Sequence, residues 1–165
     1  MKKESKYLSL DHVPIDSLNN FPLPYISSLQ GETDYEFTDK KSYQDFLHRF
    51  KGIPEITESI LTNMKQGIKY KDTLPRIIVL DLIEQYNRFL NSNIEEIKVP
   101  IYIKKYVNFS VETYIIPSIK KIKYFLENKY LCNCTEKIGL NSLSGGTSIY
   151  KELVEEQTMK GYTPK

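Results

Sequence analysis

Few side chains in this sequence have both the chemistry and the spacing for catalysis. Its only imidazoles, His12 and His48, lie 36 positions apart, and neither has the i, i+4 partner that a zinc site on a helix requires. Cys132 and Cys134 are separated by one residue. A disulfide there would close a strained ring, and no further Cys or nearby His completes a tetrahedral zinc set. The two thiols read as ordinary residues near a turn. Glu95-Glu96 and Glu155-Glu156 are acidic pairs, but adjacent residues on a helix point in different directions, so they read as surface charges. No Ser, Cys or His set for nucleophilic catalysis can be assembled. The sequence therefore assigns no catalytic residue, no metal ligand and no cofactor of its own.

Binding chemistry is concentrated in one loop. Gly139-Leu140-Asn141-Ser142-Leu143-Ser144-Gly145-Gly146-Thr147 is a glycine-rich turn ahead of a helical pattern through Tyr150, Leu153 and Val154. Exposed amides of Gly145, Gly146 and Thr147 at a helix start can hold an anion such as a carboxylate. The alternative is plain turn geometry, since the loop has neither a Walker pattern nor a dinucleotide fingerprint. Lys120, Lys121 and Lys123, with Lys104 and Lys105, offer phosphate contacts. Glu112 and Glu127 flank them, no stacking aromatics alternate with them, and the net charge is only +2. They read as a solvated face, and no nucleic-acid partner is expected.

Proline and capping residues set the elements that must position these groups. Pro14, Pro22, Pro24 and Gly31 interrupt any period through Phe37, so residues 1–37 read as an extended proline-rich arm. Its apolar residues, among them Leu8, Val13, Phe21, Tyr25, Ile26 and Leu29, fit a segment lying on the rest of the domain. From Thr38 the grammar is helical. Thr38 or Asp39 caps a helix carrying Tyr43, Phe46, Leu47 and Phe50, and Gly52 ends it. Pro54 opens a second helix with the stripe Ile53, Ile56, Ile60, Leu61, Met64 and Ile68, and the two are expected to form a hairpin. Asp72-Thr73-Leu74-Pro75 starts a third, with Ile77, Ile78, Leu80, Leu82, Ile83, Tyr86, Phe89 and Leu90, that ends near Asn91-Ser92-Asn93. A fourth runs from about Ile103 to Tyr130, with a kink or break expected at Pro117. The fold class is all-α: an irregular bundle of about five helices over residues 38–165, with the arm packed on it.

Length and composition agree. A chain of 165 residues buries roughly 70% of the surface its unfolded form exposes, enough for a core without metals or disulfides. The charged start, Met1 to Lys6, is not followed by the apolar stretch of a signal peptide. The longest apolar runs, such as Ile77-Ile78-Val79-Leu80, fall far short of the ~20 residues that span a membrane. No membrane partner is expected, and a chain complete as written would be cytoplasmic. At the other end, Tyr162-Thr163-Pro164-Lys165 reads as the first turn of a helix that is not supplied. This suggests a segment cut from a longer polypeptide, the alternative being a frayed polar tail.

Taken together, these blocks resemble a known family. Asp45-Phe46-Leu47-His48-Arg49-Phe50, Ile53-Pro54, Met64-Lys65-Gln66-Gly67-Ile68 and Pro75 are similar in order and spacing to the DUF885 family of bacterial proteins. Tyr130, Gly139-Leu140, Leu143-Ser144-Gly145-Gly146, Tyr150, Thr158 and Thr163-Pro164 continue the series. Lys71 stands where the family tends to have a second glycine, Ser144 where it has proline, and Met159 and Lys160 interrupt a Thr-rich cluster. The resemblance implies a predominantly helical, zincin-like zinc metallopeptidase whose metal-binding His-Glu segment follows this region and is absent from it. Zinc is thus implied for the full-length family only. For this chain the resemblance implies a non-catalytic scaffold forming part of a substrate-cleft wall, with Tyr150 and Thr158, beside Gly145 and Gly146, as cleft-lining candidates. Its partners would be the remainder of the parent polypeptide and, through exposed apolar surface, a second copy. The alternative is a standalone helical module that grips a protein or peptide with the arm or the Gly145-Gly146 turn.

Overall fold

The computed structural model describes residues 11–33, 35–136, 138 and 146–157. Its elements are helical, and the described residues contain no strand beyond one isolated bridge between Pro75 and Thr135. Among the described residues seven α-helices follow in order: α1 (Pro24–Leu29), α2 (Lys40–His48), α3 (Ile53–Tyr70), α4 (Arg76–Asn91), α5 (Ile101–Ser110), α6 (Ile116–Phe125) and α7 (Gly146–Gln157).

The centre of the bundle is one long helical run. α5 passes through a π-helical turn (Val111–Ile115) into α6, then through a second (Leu126–Tyr130) and a 3-10 turn (Leu131–Asn133). Ile103, Val107, Val111, Ile115, Ile119, Ile122 and Leu126 form its fully buried stripe. α6 packs against both α3 and α4, and α5 against α2. Pro117 does not break this run. The Ile116 N–H donates five residues back, to the Val111 carbonyl, so the ladder has already widened when the proline ring arrives. The missing proline N–H is absorbed by a shift of hydrogen-bond register, and the dihedrals on either side stay right-handed helical.

Two other expectations need correction. α2 and α3 are not packed along each other as a hairpin; α2 lies on α5. The connecting 3-10 turn (Arg49–Gly52) keeps right-handed helical dihedrals, Gly52 included at φ −82°, so the chain never makes the left-handed step that would fold it straight back. The arm, in turn, is not extended throughout. Pro22 and Pro24 do not forbid a helix there, because Pro24 takes the first helical position, where no N–H is needed, and α1 follows. Where the arm is described, it belongs to the core: Ile15, Ile26 and Leu29 are buried with the helices. Tyr25, Tyr35 and Phe37 continue it as a ring cluster with Tyr43, Phe46 and Phe50, in which Phe37 and Tyr43 stack at 4.1 Å.

Helix ends follow the capping grammar. The Asp39 carboxylate accepts from the Ser42 N–H at 2.7 Å while the Asp39 N–H donates to Ser42 Oγ, a reciprocal capping box. α4 stops at Asn91, with Ser92 Oγ donating to the Phe89 carbonyl, and Asn93 Oδ1 accepts from the Glu95 N–H to start the next short turn. Several apolar residues of the predicted stripes face outward instead, among them Ile56, Ile77 and Leu80.

Candidate functional site

The cleft-lining candidates are not brought together among the described residues. Gly145 and Thr158 lie outside them. Gly146 is the first residue of α7, and Tyr150, one turn further on, is 44% exposed. Neither borders either of two open grooves that the described residues line. His48, on α2, is exposed.

Polar groups converge instead at the C-terminal end of α3. Lys71 adopts the left-handed conformation (φ 62°), its N–H donates to the Ile68 carbonyl, and the next N–H, of Asp72, donates to Gly67 at 2.8 Å. This is the Schellman geometry, which satisfies carbonyls that a helix end leaves without partners. Lysine pays a steric penalty there that glycine would not. The turn aims the Asp72 side chain at the arm, where His12 Nδ1 lies 3.3 Å from Asp72 Oδ2. The same imidazole stacks on Tyr70, with centroids 5.4 Å apart and planes 12° from parallel. Asp72 is only 5% exposed.

A glycine makes this meeting possible. A Cβ on Gly67 would come within 2.5 Å of the Asp72 carbonyl oxygen and 3.0 Å of that of His12. The arm thus crosses α3 at its only described glycine, and the approach is closer than any side chain allows.

Beyond Asp72 the chain is tied to the end of the long helix. Thr73 Oγ1 donates to the Asn133 carbonyl, the Leu74 N–H to the Tyr130 hydroxyl at 2.9 Å, and the Arg76 N–H and guanidinium to the carbonyls of Thr135 and Leu131. Tyr130 is fully buried, and burial holds its phenol well above the usual range. Burial likewise lifts the Cys134 thiol to about 11, so at neutral pH it is protonated and a poor nucleophile. Cys132 is exposed. Farther along, Tyr86 donates to the Phe21 carbonyl at 2.6 Å and Asn20 to Gln85, which fixes the arm on α4.

Chemically, His12 and Asp72 are an imidazole oriented by a carboxylate. Among the described residues no hydroxyl or thiol is hydrogen-bonded to the ring, whereas a hydrolytic triad joins its base to a nucleophile. Among the described residues no three His, Cys, Asp or Glu side chains gather as a metal would require. The arrangement clamps arm, α3 and long helix together. Sequence reasoning read His12 as an isolated arm residue and Asp72-Thr73 as a helix-start signal. Yet Pro75 precedes α4 without a side-chain cap, and Thr73 is spent on Asn133. The one available signal was local: Gly67 four residues ahead of Lys71, in a helix otherwise free of glycine.

No curated protein and no solved structure matches the chain. A family model described as "Bacterial protein of unknown function (DUF885)" matches residues 2–165. With nearly the whole sequence inside that match, as the ordered blocks from Asp45 to Pro164 lead one to expect, the chain belongs to the DUF885 family.

Proposed function

We propose that this chain is a non-catalytic helical portion of a DUF885-type peptidase-like protein, supplying scaffold and part of a substrate-cleft wall to a catalytic centre formed by other residues. The observation that carries this reading is how the fold uses its imidazoles. His12 is committed to Asp72 and Tyr70, His48 stands exposed on α2, and among the described residues no three His, Cys, Asp or Glu side chains gather around either. Gly145, Gly146, Tyr150 and Thr158 are the proposed cleft-lining positions, and the remainder of the parent polypeptide is the proposed partner. The test is a peptidase assay of the purified chain with added zinc. Turnover at the buffer rate is expected; robust zinc-dependent hydrolysis would overturn the proposal.

A second reading, a standalone helical module that grips a peptide, draws on an open groove of about 430 Å³ between α1 and α4, bordered by Leu18, Asn20, Leu23, Gln30 and Phe89. Such a module binds extended peptides saturably on its own, and loses that binding when Phe89 is changed to Ser. A scaffold segment shows neither behaviour. No helix among the described residues is long and apolar enough to cross a membrane.

A further inference from the structure

The outer face of α5 sets exposed apolar residues beside charged ones. Its inner face, Ile103, Val107 and Ser110, is buried against the bundle. Its outer face carries Ile101, 85% exposed, and Phe109, 63% exposed. Between them runs an open groove of about 580 Å³, bordered by Ile101, Lys104, Lys105, Asn108, Phe109 and Glu112, with Glu95 at its edge. Positions 101, 105, 108 and 112 follow the i, i+4, i+7, i+11 spacing of a helical stripe, the footprint a second helix would cover. Two further features bear on what covers it. Asn108 Oδ1 is buried and has no hydrogen-bond partner among the described residues, a condition that native proteins avoid. The charges along the stripe are ordered, with Lys104 and Lys105 toward the N-terminal half and Glu112 beyond Phe109.

We propose that this face is a two-fold interface between copies of the chain, formed by antiparallel packing of α5 on the α5 of a second copy. A two-fold contact must be self-complementary. Antiparallel pairing satisfies this, because Lys105 then meets the partner's Glu112 while Glu112 meets the partner's Lys105, whereas parallel pairing brings lysine to lysine. The same register sets the Asn108 side chains beside the axis, flanked by Phe109. Asn108 amides facing each other across the axis can hydrogen-bond to one another, as a buried Asn does in helix pairs where it fixes register. Burial of Ile101 and Phe109 supplies the attraction, and the charges supply the orientation. One helix of three turns is a small contact, below about 1,200 Å², so the dimer is weak and reversible, with Kd on the order of 10–100 μM. This interface is independent of the scaffold role proposed above.

Sedimentation of the full chain over a concentration series tests it. A monomer–dimer equilibrium is expected, weakening as salt is added. Lys105→Glu and Glu112→Lys each place like charges together twice by symmetry, and each weakens association by about tenfold or more. The double variant Lys105→Glu with Glu112→Lys restores association to within about threefold of the original. Both positions are on the exposed face of the helix, and far-UV circular dichroism verifies that the variants fold. A chain that stays monomeric to about 1 mM overturns the proposal. So does a dimer indifferent to the single reversals, or a double variant that fails to recover.

Discussion

At the scale of the residue, Gly67 is the position on which most depends. It lets the arm cross α3 within van der Waals contact of the backbone, and its carbonyl receives the Asp72 N–H that closes the helix end. In an open helix, Gly→Ala gains roughly 1 kcal/mol from propensity. Here the new methyl meets two carbonyl oxygens that belong to backbone and cannot swing aside. Overpacking of this kind costs about 1–3 kcal/mol, and the loosened cap adds to it. Gly67→Ala is therefore expected to lower stability by about 1–2 kcal/mol, seen as a lower urea midpoint at unchanged slope. A midpoint equal to or above that of the parent would show that His12 does not seat on this glycine. The seat was only half legible in sequence. A glycine inside a helical pattern signals close approach, but the partner, His12, is 55 residues away, and no local pattern specifies it.

Helix ends were the most legible feature at the scale of the element, because caps are local chemistry. Asp39, Asn91-Ser92-Asn93 and Pro54 act where the sequence places them. Asp39→Ala removes the acceptor for the Ser42 N–H and leaves α2 without its box, so a loss of about 0.5–2 kcal/mol is expected in thermal or urea unfolding, with Asp39→Ser recovering most of it. A change too small to measure would mean that the ring cluster of Phe37, Tyr43 and Phe46 alone holds the start of α2. Pro117 was legible as a perturbation and not in its outcome. Whether an interior proline breaks a helix or is taken up by a π turn depends on what grips the flanking turns. Here Val111, Ile115 and Ile119 are locked into the core on both sides of it, which favours a register shift over an exit from the helix.

For the molecule as a whole, burial of weak acids couples stability to alkaline pH. Tyr86 and Tyr130 are held protonated by desolvation, and Cys134 is lifted from an ordinary 9.0 to about 11. In each case the folded state keeps a proton that the unfolded chain releases at lower pH. The contribution is therefore complete below the unfolded value and is lost as pH rises through the folded one. Unfolding midpoints are expected to be insensitive to these groups at neutral pH, and to fall from about pH 9 upward, first through the thiol and then, above about pH 10, through the phenols. Cys134→Ser removes the earlier part of the fall and leaves the later one. A midpoint that stays level through pH 11 would show that these side chains are hydrated. The depth of Cys134's burial could not be read from a Cys-x-Cys pair.

The amino-acid sequence by itself determined the helical class, several helix starts and stops and, through blocks of residues in a fixed order, membership of the DUF885 family. These are properties of periodicity, capping and residue order, which act over a few positions or survive as a linear pattern. Only the tertiary structure decided which stripes are covered, that α2 lies on α5, that the arm includes a helix, and that His12 reaches Asp72 across α3. Those outcomes turn on contacts between distant segments, where burial of a shared apolar surface and the fit of one backbone against a glycine outweigh any preference encoded next door.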